Sequence, residues 1–167
     1  MTLVRSPIRA VVVALLAATA APSAARACGY DAAMPDLAAA HPRSIAVAIA
    51  VREAFDRGTV HPLPGVPLRD GYARATGLLQ AIGRLVPAAA GVRSGSVTLL
   101  LIESGLWARY EVTRHGVKTE LHVDGARERE PVIITSEATV SALLDGTLEL
   151  DRAVQLRVLV VVRRRQS

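Results

Sequence analysis

Aromatic residues are scarce and cysteine is nearly absent: the 167-residue chain holds one cysteine, one tryptophan, one phenylalanine and three tyrosines. A single thiol excludes an internal disulfide framework and leaves no partner for a redox or zinc CxxC pair. Few aromatics are present to stack on bases, and the basic residues are scattered, so the net charge of +5 does not imply a nucleic-acid partner. No GxGxxG, GxxxxGKS/T or HExxH occurs, which removes the physical parts of dinucleotide, P-loop and zincin chemistry. Gly91-Val92-Arg93-Ser94-Gly95 has no serine at its centre and is not a nucleophile elbow. His41, His61, His115 and His122 stand at no metal-ligand spacing and read as satisfied surface side chains. Glu103-Ser104 reads as turn chemistry and Trp107 as strand packing. The residues therefore offer no catalytic constellation, no metal site and no cofactor motif, and the expectation is a protein that is not an enzyme.

What the chain does have is apolar content, 51% hydrophobic against 21% charged, which suits one globular domain and not a disordered chain. Residues 1–27 read as a secretory signal peptide. Arg5 and Arg9 make the positive start, Ala10 to Ala21 is an uncharged apolar run, and Ala25-Arg26-Ala27 is a cleavage pattern. That run is shorter than the roughly 20 residues needed to span a bilayer. Cleavage after Ala27 leaves Cys28 first in a single mature domain, residues 28–167, and predicts a periplasmic or secreted protein. Ala25 and Arg26 match a lipid-anchoring signal poorly, so anchoring at Cys28 is not expected. Removal of the signal takes away Arg5, Arg9 and Arg26 and no acid. Arg163, Arg164 and Arg165 gather positive charge at the C-terminus, a weak membrane anchor at about 1 kcal/mol per charge.

Patterning along the mature chain changes period near Val97. Before it, Pro42 to Arg57 has helical spacing of Ile45, Ala48, Ile49 and Phe55, with Gly58 as its stop. His61-Pro62-Leu63-Pro64-Gly65-Val66-Pro67 is a stiff linker. Asp70 suits the cap of a second helix reaching Leu85, with Leu78, Leu79, Ile82 and Leu85 as its apolar stripe, and Pro87 to Gly95 reads as loop. After it, Val97 to Ile102 is a continuous apolar run, as in a strand covered on both faces. Leu106 to Thr113 and Val117 to Val123 alternate in polarity around Arg114-His115-Gly116 and predict a hairpin. Val132 to Thr135 is a further strand. Ser136 caps a helix with Val140, Leu143 and Leu144 on its buried face and Gly146 as its stop. A short helix near Leu150 to Gln155 follows, then a strongly β-branched final strand from Leu156 to Val162, expected to be central or well covered. The expected fold class is α+β: a mostly antiparallel sheet of about five strands, packed against N-terminal helices and a helix–short helix pair before the last strand.

The stretch from Leu106 to Val162 resembles the second half of the sterol carrier protein domain, the type-two sterol carrier family. The shared features are the hairpin and the strand Val132-Ile133-Ile134-Thr135, then a capped helix closing in Leu143-Leu144-Asp145-Gly146. The short helix Leu150-Asp151-Arg152-Ala153-Val154 and a hydrophobic last strand complete them. The chain departs from that pattern twice. It ends at Ser167, without the further segment that helps cover the tunnel in lipid-binding members, and no glycine stands before the last strand, where Leu156-Arg157 leads directly into it. There is also a looser similarity to secreted proteobacterial proteins that begin, after the signal, with Cys-Gly-Tyr, here Cys28-Gly29-Tyr30. The sterol carrier resemblance implies a sheet and helices enclosing an apolar tunnel. The expected function is binding or carrying a hydrophobic small molecule or lipid. The expected site lies between the sheet residues Ala108, Tyr110, Leu121 and Val123 and the helix residues Val140, Leu143 and Leu144. The alternative is a periplasmic accessory protein acting through contacts with a protein partner, which predicts a packed core and an exposed apolar patch.

Overall fold

The computed structural model describes residues 40–163; the expected signal peptide, its expected cleavage site at Ala27–Cys28 and the terminal Arg164 and Arg165 lie outside the described residues. Helices come first: α1 (Ser44–Asp56), α2 (Leu68–Ala81), a 3-10 turn (Ile82–Arg84) and α3 (Val86–Ala90). Then follow β1 (Gly95–Leu101), β2 (Trp107–Thr113), β3 (Gly116–Leu121), β4 (Val132–Thr135), α4 (Glu137–Leu144), α5 (Leu150–Gln155) and β5 (Leu159–Val162). The strands form one sheet in the order β3-β2-β1-β4-β5, so β3 and β5 are its edges; the last strand, expected to be central, starts at Leu159 and pairs with β4 alone. The neighbours are antiparallel except β1 and β4, which run parallel because the chain crosses back from β3 to the far side of β1. This is the α+β class the patterning predicts. Among the described residues no helix is long and apolar enough to cross a membrane.

Register decides which side chains share a face. Val97, Leu99, Leu101, Ala108, Tyr110, Ile133 and Leu159 lie on one face, all buried. Ile82 and Val86 from the helical layer and Leu143 from α4 pack into the same interior. Thr98, Leu100 and Ile134 point to the other face and are equally buried. The central strands are thus covered on both sides, which is why β1 reads as a continuous apolar run.

On β2 that second face carries a charge. Arg109 is only 6% exposed. Its guanidinium donates to Glu130 at 3.1 Å, to Glu120 at 3.2 Å and to the Gly125 carbonyl at 2.9 Å. The crossover segment 122–131 is therefore fastened down on the sheet. Burial alone would raise the Glu130 carboxyl, but hydrogen bonds from Ser96 and the Arg127 backbone, with the Arg109 charge, hold it below its ordinary range.

Local chemistry explains most of the boundaries. Ser136 caps α4 by accepting the Thr139 N–H at 2.9 Å, and Gly146 turns the chain away at φ +71°. Three expectations change. The segment after Pro87 forms α3 rather than loop, because Pro87 occupies the first turn, where its missing N–H costs nothing. Asp70 lies inside the first turn of α2 and Pro67 stands at its cap position. The buried side of α1 is Val47, Val51 and Ala54, while Ile45 and Ile49 are 49% and 57% exposed. α1 packs against β4 with the former set, and the latter faces outward.

Candidate binding groove

The residues expected to line a tunnel are mostly core. Ala108 and Tyr110 are fully buried, and the Tyr110 hydroxyl donates to the Leu79 carbonyl at 2.6 Å. Burial pushes that phenol well above its usual range, so it is a hydrogen-bond donor and not an acid. Leu121 ends β3 half-buried and Val123 follows it, also half-buried. Val140 and Leu143 are buried on α4, and Leu144 is 37% exposed. The gap bounded by Ile82, Leu99, Ile133, Leu143, Leu150 and Leu159 has no room for a water molecule. Leu143 thus meets Leu99 and Ile133 across a filled interior.

Open space lies elsewhere. A groove of about 720 Å³ runs between α1, α5 and the edge strand β5, within the roughly 300–1,000 Å³ span of small-molecule sites. Ala46, Ile49 and Ala50 form the α1 wall, and Val154 and Leu156 come from α5 and the turn after it. Leu159, Val160 and Val161 line it from β5. The outward Ile49, poorly placed for the core, is well placed here, as is Val154, 44% exposed.

Its polar groups are Arg43, Glu53 and Arg157. Glu53 is engaged by Arg57 at 2.6 Å. Neither Arg43 nor Arg157 has a carboxylate partner among the described residues. Beside the groove, burial and then the nearby Arg43 charge push the His41 imidazole below its ordinary pKa and favour its neutral form. Arg157 has φ +60°. The missing glycine before the last strand is thus replaced, at a left-handed position, by an arginine.

The two sheet edges differ. β3 carries Lys118 and Glu120, charges that discourage another strand from adding there. β5 is Leu159-Val160-Val161-Val162, with no charge and no proline. Neither the groove nor this difference is readable from periodicity, because both depend on β5 being an edge. The only sequence signal is a set of apolar residues on α1 larger than one buried face can use.

A second polar cluster stands at the start of α4. Glu103, in the turn after β1, accepts the Glu137 backbone N–H at 2.9 Å, and Arg74 from α2 holds the Glu137 carboxylate at 3.1 Å. The same Arg74 donates to the Pro64 carbonyl at 2.8 Å, tying down the proline-rich linker. Burial lifts Glu103 to about 7, with the neighbouring Glu137 charge adding to it. The Ser104 hydroxyl beside it is buried without a hydrogen-bond partner. The cluster's hydrogen bonds join α2, α4 and the turn to one another. Among the described residues no group of three or more His, Cys, Asp or Glu is placed to hold a metal ion. No protein-family model matches the chain, and neither a curated protein nor a solved structure matches it.

Proposed function

We propose that the chain is an exported binding protein for a hydrophobic small molecule or lipid, taken up in the groove between α1, α5 and β5. The groove itself carries this reading: an apolar trough of about 720 Å³ with outward-facing Ile49 and Val154 in its walls. Exposed side chains of that size, gathered around one concavity, gain free energy when an apolar ligand covers them, at roughly 25 cal/mol per Å². The order of elements also agrees with the sterol-carrier resemblance: hairpin, β4, a capped helix ending at Leu143-Leu144-Asp145-Gly146, a short helix and the last strand. Likeness of fold does not carry a function by itself. The ligand place proposed is the outer groove, since the interior between sheet and helices is filled.

Native mass spectrometry of the mature protein, residues 28–167, purified from its own periplasm tests this. The expected result is a mass excess that disappears on organic extraction and is smaller in Ile49→Gln. A bare mass, with no uptake of added alkyl ligands, would falsify the carrier reading.

The uncharged edge of β5 favours a second reading, docking of a protein partner along that strand. It predicts that Val162→Lys, on the same strand but outside the groove lining, abolishes partner binding and leaves small-ligand uptake intact.

A further inference from the structure

Arg157 stands where a chain most favours glycine. It follows α5 in the left-handed conformation, φ +60°. There a Cβ crowds the backbone, and helix ends usually recruit glycine for that reason. The local hydrogen bonds do not demand an arginine: the Arg157 N–H donates to the Val154 carbonyl at 3.0 Å and the Val158 N–H to the Ala153 carbonyl at 3.1 Å. Glycine would make both bonds without strain. A strained residue that its own cap does not require points to a role for its side chain.

That side chain lines the groove together with Arg43. The one acid in the groove wall, Glu53, is already engaged by Arg57 at 2.6 Å. The trough is therefore apolar along Ile49, Val154 and Val160 and carries two guanidinium groups, Arg43 and Arg157, that have no carboxylate partner among the described residues. A neutral ligand makes no use of those charges and a cation is repelled by them. A carboxylate is bound in the forked geometry that guanidinium groups favour.

Resting on the small-molecule reading, we propose that the groove takes a free single-chain amphiphile with an anionic headgroup. Its alkyl chain lies along Ile49, Val154 and Val160, and its carboxylate is held by Arg157 and Arg43. Arg157 is then the residue that selects charge, and its left-handed backbone is the local cost of presenting a guanidinium at this place.

The test is calorimetric titration of the full mature chain at pH 8 with three dodecyl probes below micelle concentration: dodecanoate, dodecyl maltoside and dodecyltrimethylammonium. Affinity is expected to fall in that order. Arg157→Gly should weaken dodecanoate about tenfold, the usual scale for one charge-assisted hydrogen bond. It should leave the maltoside unchanged and raise the thermal midpoint, because glycine relieves the backbone. Misfolding cannot produce that combination. Ile49→Gln should weaken all probes alike. If the probes bind equally, or if Arg157→Gly leaves dodecanoate untouched, charge selection is overturned while the groove reading stands. If no probe binds, the groove reading fails with it. Binding to phosphatidylglycerol vesicles without binding of dodecanoate would overturn the free-ligand proposal in favour of a membrane surface.

Discussion

The Glu103 carboxylate accepts the backbone N–H of Glu137 at 2.9 Å, so the side chain that closes the β1–β2 turn also serves the first turn of α4. Two acids are brought together, and their surroundings separate them. Glu137 is held by the Arg74 guanidinium. For Glu103 burial opposes the charged form most and the Glu137 charge adds to it, while the backbone N–H groups of Glu137 and Glu103 and the Arg74 charge favour it.

The first prediction follows from that imbalance. In the folded chain Glu103 titrates near 7, against 4.5 for a free glutamate. The folded state therefore holds a proton that the unfolded state has lost between these values. The stabilisation is complete below pH 4.5 and disappears as pH rises through 7, with an upper magnitude of about 3 kcal/mol. Urea midpoints at pH 5 and pH 8 should differ in that sense, and Glu103→Gln should remove most of the difference. A midpoint that rises between pH 5 and pH 8 in the parent and falls in the variant would contradict this account.

Arg109 and Glu130 predict the opposite sign. Glu130 sits below its ordinary pKa, so its contribution is present above the unfolded value and lost as pH falls through the folded one. Arg109→Met leaves the Glu130 carboxylate, 3% exposed, without its guanidinium, and should cost about 3–5 kcal/mol. The double variant Arg109→Met with Glu130→Leu should recover much of that loss, since no charge is then left buried alone. Chemical denaturation of the parent and the two variants measures it; a double variant no better than the single one would show that the segment 122–131 is held by something other than this pair.

Local signals in the sequence were sound where one residue decides the geometry. Ser136 caps α4, Gly146 ends it, and Arg114-His115 turns the hairpin as the alternation of β2 and β3 requires. They failed where burial depends on distant strands. α1 is apolar on more than one side; helical spacing picks out Ile45 and Ile49, whereas packing against β4 buries Val47 and Val51. The same ambiguity hid the groove. Its walls come from residues 43–53, Ala89 and residues 154–161, which are far apart in sequence and meet beside β5, an edge in the strand order. Arg157 left a readable trace, the missing glycine before the last strand. It becomes informative once its φ is known to be positive.

Where the ligand does not go is also testable. Leu143 faces Leu99, Ile133 and Leu159 across a gap too small for water. An apolar probe such as benzene therefore has no interior place to bind, and the parent protein's thermal midpoint should not move when benzene is added. Leu143→Ala deletes methyl groups from that wall. The neighbours are large, buried and drawn from a sheet that cannot collapse far. The expected cost is about 2–4 kcal/mol. The cavity left behind is dry and apolar, and such cavities take up benzene, so the variant should regain part of its midpoint when benzene is added. A benzene response in the parent would mean that the interior opens in solution, and the ligand place would then move from the outer groove back to the space between Tyr110 and Leu143.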